Sequence, residues 1–215
     1  MVAGTGSARA TVGGPVRYDV AALVDALTAY QLNCLEQATS KGFPLALLPP
    51  TPDRAARLQA SIASILDRQR FDGAFGMWSA SGEAEPWLTA YATELLLRAK
   101  PSGAVPEGGL ADAVKYLAGA YSDLPDTPDG TAAKAYSLYV LALAGQPKAG
   151  ANRLLAQDLD ALPTPLARAQ LGAALALTND RPRAEAAFAA ALDTTQRKFW
   201  HIDYGSPLRD QAAVT

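Results

Sequence analysis

Cysteine and histidine each occur once in this 215-residue chain, as Cys34 and His201. One thiol excludes an internal disulfide, and one cysteine with one histidine cannot fill the four-ligand shell of a structural zinc. No metal site is therefore expected, and no cofactor: DGAFG, the most glycine-dense stretch, matches neither a phosphate loop nor a dinucleotide fingerprint. A cysteine hydrolase needs a histidine base beside its thiol. His201, in KFWHIDYG, stands at the far end of the chain, and nothing in the sequence brings it to Cys34. Long apolar runs are also missing, with no stretch near the ~18 uninterrupted residues of a membrane span. Residues 1–17, MVAGTGSARATVGGPVR, lack the charged start and apolar run of a secretory signal and read as a flexible arm or an artificial boundary. Nor is either charge in excess: 19 basic against 21 acidic residues, net −2, provide no basic footprint for nucleic acid or a lipid surface.

What is present is helical periodicity. Hydrophobic residues make up 49% of the chain, enough for a sizeable core. DVAALVDALTAY, residues 19–30, spaces Val20, Leu23, Val24, Leu27 and Tyr30 along one helical stripe, behind Asp19 as N-cap. A second run covers 35–48, with Pro44 predicted to kink it and Pro49-Pro50 to stop it. Thr51-Pro52-Asp53 opens a third, through about Gln69. FDGAFGMWSASGEAEP, 71–86, reads as a structured loop, and WLTAYATELLLRA follows as a helix. Further helices are expected over 109–122, 131–144, 148–159, 164–179 and 181–193, and Ser206-Pro207 opens a last one of about two turns, as if the chain were cut from a larger protein. Strand signals are nearly absent, so the fold class is all-α. TAYATELLLRA (89–99) and KAYSLYVLALA (134–144) repeat an Ala-Tyr pair and an apolar run at the spacing of one helical hairpin. Repeated hairpins make either an open solenoid or an α/α toroid.

Cys34 sits in YQLNCLEQATS, residues 30–40. A lone cysteine is most often a small buried hydrophobe. This one falls at a break between helices, after Leu32-Asn33, where Asn33 would tolerate the left-handed backbone of a sharp turn, and at a helix start, where the macrodipole favours negative charge. Gln37 lies three residues on. In a Cys-x-Glu-Gln segment curled into a tight turn, a thiolate can attack the glutamine carboxamide and expel ammonia, leaving an internal thioester. Such a bond needs shielding from water, for which Tyr30, Phe75, Trp78 and Trp87 are candidates, and a later conformational change that admits a nucleophile.

YQLNCLEQATS resembles the thioester motif of the alpha-2-macroglobulin family, Tyr-Pro-Tyr-Gly-Cys-x-Glu-Gln-x-x-Ser, with Tyr30, Cys34, Glu36, Gln37 and Ser40 at matching positions and Gln31-Leu32-Asn33 in place of Pro-Tyr-Gly. RQRFDGAFGMWSASGEAEPWLTAYATELLLRAK is similar to the family's Gln-x-x-Asp-Gly-x-Phe-Gly-x-Trp loop and the helix after it, and DYGSPLRDQAAV to a stretch of bacterial members. The resemblance implies a terpenoid cyclase-like α/α toroid over residues 18–215, incomplete if the chain is truncated. It implies that Cys34 supplies the thioester sulfur and Gln37 the acyl carbon, with Glu36 as motif acid. The domain would work once, not as an enzyme: after a protease cuts a bait region elsewhere in the polypeptide, the thioester acylates a lysine amine of that protease. Target proteases and the remaining macroglobulin domains are the implied partners, and the periplasm or cell envelope the implied location. No histidine stands where complement relatives place the one that redirects the acyl group to hydroxyls, so amines are the expected acceptors. Two other readings remain: a toroid enzyme of the terpenoid cyclase or polysaccharide lyase type, for which Asp123, Asp126 and Asp129 in SDLPDTPDG are the nearest acids, and a helical-repeat binding module with an inert thiol.

Overall fold

Threonine followed by proline recurs at the helix starts. Thr51-Pro52, Thr127-Pro128 and Thr164-Pro165 each place a hydroxyl to accept the amide three residues on, at 3.1–3.2 Å, and a proline where no amide donor is lost. The computed structural model describes residues 19–192 and 203–214; His201 and the arm over 1–17 lie outside the described residues. Within them run ten α-helices: α1 Val20–Thr28, α2 Leu35–Leu47, α3 Pro52–Leu66, α4 Pro86–Ala99, α5 Glu107–Ala120, α6 Pro128–Leu143, α7 Ala149–Leu155, α8 Pro165–Leu177, α9 Arg181–Leu192 and α10 Pro207–Val214. The predicted stretches match in kind, and the differences lie at their ends. Helix α6 begins three residues before the expected 131 because Thr127 caps it, and the stretch expected to run to 159 ends at Leu155, followed by a separate 3₁₀ turn, Leu159–Ala161. Helix α2 stays one element through Pro44, whose carbonyl accepts the Leu48 amide at 3.1 Å.

Helices α2, α4, α6 and α8 each pack on the next, while α3, α5, α7 and α9 lie against them from outside. This alternation is the α/α toroid. The inner helices are buried almost all round, not along one stripe: α4 buries Trp87, Leu88, Ala90, Leu95, Leu96 and others besides. They also run in one direction. Contacts step together along each pair: Ser40 meets Tyr91 and, further on, Gly42 meets Leu95; Glu94 meets Tyr136 and, further on, Arg98 meets Tyr139. Their N-termini therefore open on one face of the ring. The stripe expected on α1 behaves differently. Only Val24 is buried, and Val20, Leu23, Leu27 and Tyr30 face outward, because α1 rests on α2 at the rim.

The repeated Ala-Tyr pair has a structural meaning. Tyr91 and Tyr136 hold equivalent repeat positions and lie against each other, ring centroids 6.4 Å apart, in the wall of a cavity of about 360 Å³ lined also by Phe43, Trp87, Tyr139 and Gln170. Buried Glu94 is the acid of this cavity. Tyr136 donates to it, and Arg98 meets it at 2.7 Å while also donating to Tyr139. A carboxyl group taken out of water needs such partners, and here the Arg98 pairing and the Tyr136 hydrogen bond supply them. Among the described residues no helix is long and apolar enough to cross a membrane.

Candidate functional site

Cys34 is the N-cap of α2 and Gln37 its third residue, so the two meet across the first turn as a capping box does. The Cys34 amide donates to Gln37 Oε1 at 3.0 Å, which folds the carboxamide back over the residue that carries the sulfur. Cys34 is 7% exposed, and Gln37 half-buried. The turn before it is tied down by long side chains. Lys41 Nζ donates to the carbonyls of Tyr30 (2.6 Å) and Leu32 (3.0 Å), and Arg68 to that of Asn33. Asn33 does not take the left-handed conformation expected of it; among the described residues only Asn179 and Tyr204 do so without being glycine. Its carboxamide instead donates to Ser64 Oγ at 2.8 Å, so the bend is held by side chains of α2, of α3 and of Arg68 just beyond it, not by backbone strain.

The glycine-aromatic loop buttresses the same helix start. The Met77 carbonyl accepts the amide of Leu35, the residue after the thiol, at 2.9 Å. The loop's own shape depends on close approach. Gly73 has φ +92°, and a Cβ there would lie 2.2 Å from the Asp112 carbonyl. Gln69 Nε2 donates to the carbonyls of Gly73 and Gly109, and the Phe75 amide to Thr89 Oγ1 of α4 at 3.0 Å. Two isolated bridges, Gln69 with Phe75 and Gly76 with Ala84, close the loop on itself.

The four aromatic candidates fall in two settings. Phe75 is fully buried in the loop and Trp87 buried at the start of α4, whereas Tyr30 is 53% and Trp78 68% exposed. Glu36 accepts from Ser40 Oγ at 2.7 Å, and with that proton committed the 3.0 Å contact of Ser40 with Tyr91 is a donation from the phenol. The motif acid and motif serine thus lead to the cavity wall. Burial pushes the Tyr91 phenol up to about 12, so it remains a donor at neutral pH. Burial likewise raises Glu85 at the N-cap of α4, helped by Glu83. The acids Asp123, Asp126 and Asp129 are exposed; Asp126 pairs with Lys134, and Asp129 lines a cavity at the N-terminus of α6. Among the described residues no three His, Cys, Asp or Glu side chains are grouped to hold a metal.

Sequence reasoning missed Tyr204. It lies outside every helix, packs its ring on Trp87 at 5.9 Å, and is pushed up to about 12 by burial and then by Glu85, Cys34, Glu36 and Asp129 around it. Only its place in DYGSPLRDQAAV, a stretch noticed for resemblance and not for chemistry, marked it in advance.

The model of the A-macroglobulin TED domain matches residues 23–126, which include the Cys34 turn, the loop and α4. Alpha-2-macroglobulin of Escherichia coli (strain K12) is 33% identical over 94% of this chain. The chain belongs to the alpha-2-macroglobulin family. It spans 14% of the length of that relative. Among solved structures of the family, Salmonella alpha-2-macroglobulin reacted with methylamine superposes with a TM-score of 0.79 at 34% identity, over 91% of this chain and 14% of that one. Escherichia coli alpha-2-macroglobulin activated by porcine elastase does so at 0.77 and 30% identity, over 86% and 19%. Both share the all-helical toroid, and the family's thioester-domain model covers the part of the chain that holds the Cys34 turn.

Proposed function

We propose that this chain is the reactive domain of a bacterial alpha-2-macroglobulin-like protease trap, in which Cys34 and Gln37 form an internal thioester used once. The observation that carries the reading is the 3.0 Å bond from the Cys34 amide to Gln37 Oε1, which brings carboxamide and thiol-bearing residue together at a buried helix start in a family motif. In forming the bond, Cys34 Sγ attacks Gln37 Cδ. The C–N bond breaks and the amide nitrogen leaves as ammonia, taking the thiol proton. In using it, an amine nitrogen attacks the same carbon. The C–S bond breaks, an amide forms, and the amine's surplus proton ends on the Cys34 sulfur. The protein's contribution is to hold the acyl group where water is scarce and the donors around it are fixed.

The acceptor is a lysine amine of an attacking protease, and the event that admits it is a cut elsewhere in the polypeptide. The relatives' reaction with methylamine and activation by elastase support both points. The rest of the macroglobulin polypeptide supplies the cover and the trigger, and the periplasm or cell envelope is the setting. A capping box alone would fold Gln37 back on Cys34; what favours the trap over a binding module with an inert thiol is that the box is built from the family's thioester motif. To test the trap, the longest natural polypeptide carrying this chain is incubated with trypsin or elastase and its adduct mapped by mass spectrometry. An isopeptide bond between Gln37 and a protease lysine, absent in Cys34→Ala, is expected. Protease inhibition with no such bond would overturn the covalent mechanism.

A further inference from the structure

The segment Asp203–Arg209 crosses the face of the ring on which the Cys34 turn opens, and its backbone is built at a cost. Tyr204 has φ +55°, a left-handed conformation that a bulky aromatic residue rarely adopts. The next residue is Gly205, which could take that conformation freely, yet it is not among the positive-φ glycines. The turn spends its strain on the tyrosine, and strain of this kind persists only where surrounding contacts enforce it.

Those contacts can be named. Asp203 is 1% exposed, and its carboxylate accepts from Thr164 Oγ1 at 3.1 Å, from the Gly205 amide at 3.2 Å, and faces Arg209 at 3.0 Å. Thr164 is itself the N-cap of α8, so the turn is pinned to an inner helix. Gly205 lets Arg209 fold back, since a Cβ there would strike the guanidinium. The pinned turn then covers Trp87 twice, with the Tyr204 ring at 5.9 Å and the Arg209 guanidinium 5.7 Å above the indole. Trp87 is packed on its other sides by Tyr91 at 5.3 Å and Tyr136 at 5.1 Å. Trp87 in turn reaches the motif through Tyr91, whose phenol bonds to Ser40 at 3.0 Å, and Ser40 donates to Glu36, the neighbour of Gln37.

We propose that Tyr204 is a positioning residue of the thioester site, whose ring, aimed by the left-handed backbone and pinned through Asp203, seats Trp87 and keeps water from the Cys34–Gln37 acyl bond. This rests on the thioester reading above. It predicts a division of labour: the ring sets how long the thioester survives hydrolysis, while the reaction with a small amine still proceeds.

The test uses the longest natural polypeptide carrying this chain, with Tyr204→Gly and Tyr204→Phe beside the unaltered protein. Intact mass first establishes whether the unaltered protein is one ammonia lighter than its sequence. Thiol titration over time, without amine, then gives the hydrolysis rate, and a thermal melt reports folding. Glycine relieves the left-handed strain while removing the ring, so Y204G is expected to melt no lower than the unaltered protein, yet to release thiol at least about fivefold faster. Y204F, which keeps the ring, is expected to release it at the unaltered rate. Equal release rates for Y204G and the unaltered protein, both one ammonia lighter, would overturn this role and leave the thioester standing. So would faster release in Y204G matched by a lower melting temperature, which is mere unfolding. If the unaltered protein carries its full mass, the thioester reading falls and this inference with it.

Discussion

Gln37 does two jobs that a single substitution can separate. As third residue of α2 it accepts the Cys34 amide, and as carboxamide it is the acyl donor of the proposed thioester. Gln37→Glu keeps an acceptor at the helix start, where negative charge is favoured by about 0.3–1 kcal/mol, but its carboxylate has no ammonia to lose. The melting temperature of Q37E should therefore hold or rise while no thioester forms, as read by mass. Gln37→Ala should lose both, with about 1 kcal/mol off the stability from the missing cap. At this scale the sequence was informative where chemistry is local. Cys34 and Gln37 are three apart at a helix start, and no distant contact is needed to bring them together. Asn33 was misjudged because its partner, Ser64, is thirty-one residues away. Tyr204 was missed because what makes it notable, a backbone angle and a neighbour on α4, leaves no mark on residue spacing.

Helix starts were legible at Asp19, Thr51 and Ser206-Pro207, where a hydroxyl or carboxylate precedes the first turn, but not at Thr127, whose cap starts α6 three residues before the expected position. The end of the expected 148–159 stretch blurred because an irregular 3₁₀ turn follows α7. The loop between α3 and α4 shows why elements cannot be judged alone. Its Met77 carbonyl holds the α2 start, and Gly73 makes room for the loop against α5. Gly73→Ala combines a disfavoured backbone with a backbone clash, and a loss of about 2 kcal/mol or more is expected in chemical denaturation. Because that loop seats Leu35, the same variant should also alkylate Cys34 faster with iodoacetamide in the absence of denaturant. Destabilisation without faster alkylation would mean that the loop does not guard the thiol. Among the inner helices, Leu95→Ala removes a fully buried side chain that also fills the space beside Gly42, and should cost about 2–5 kcal/mol.

The whole molecule carries its titration in its tyrosines. Tyr91 and Tyr204 are each pushed up to about 12 by burial, so the folded chain prefers both phenols protonated. Their contribution is intact below pH ~10, the ordinary tyrosine value, and is lost as pH rises towards about 12, because the unfolded chain ionises first. For the more buried Tyr91 the loss is of order 2 kcal/mol; the half-exposed Tyr204 adds less. Denaturation midpoints should be flat from neutral pH to about 10 and then fall, and Tyr91→Phe should flatten the fall. At this scale the repeat was the useful signal. Its Ala-Tyr pairs are the cavity wall of a ring whose inner helices all start on one face. Repetition alone left the choice between ring and open stack unmade; the likeness to solved structures of the family decides it.

Intact mass before and after methylamine tests the Cys34–Gln37 bond most directly, on the longest natural polypeptide carrying this chain, freshly prepared and never denatured. The predicted mass is one ammonia below that of the sequence. Methylamine should then raise it to one methylene above the sequence mass, with one new titratable thiol at Cys34. A full sequence mass at the outset, unmoved by methylamine, would contradict the account.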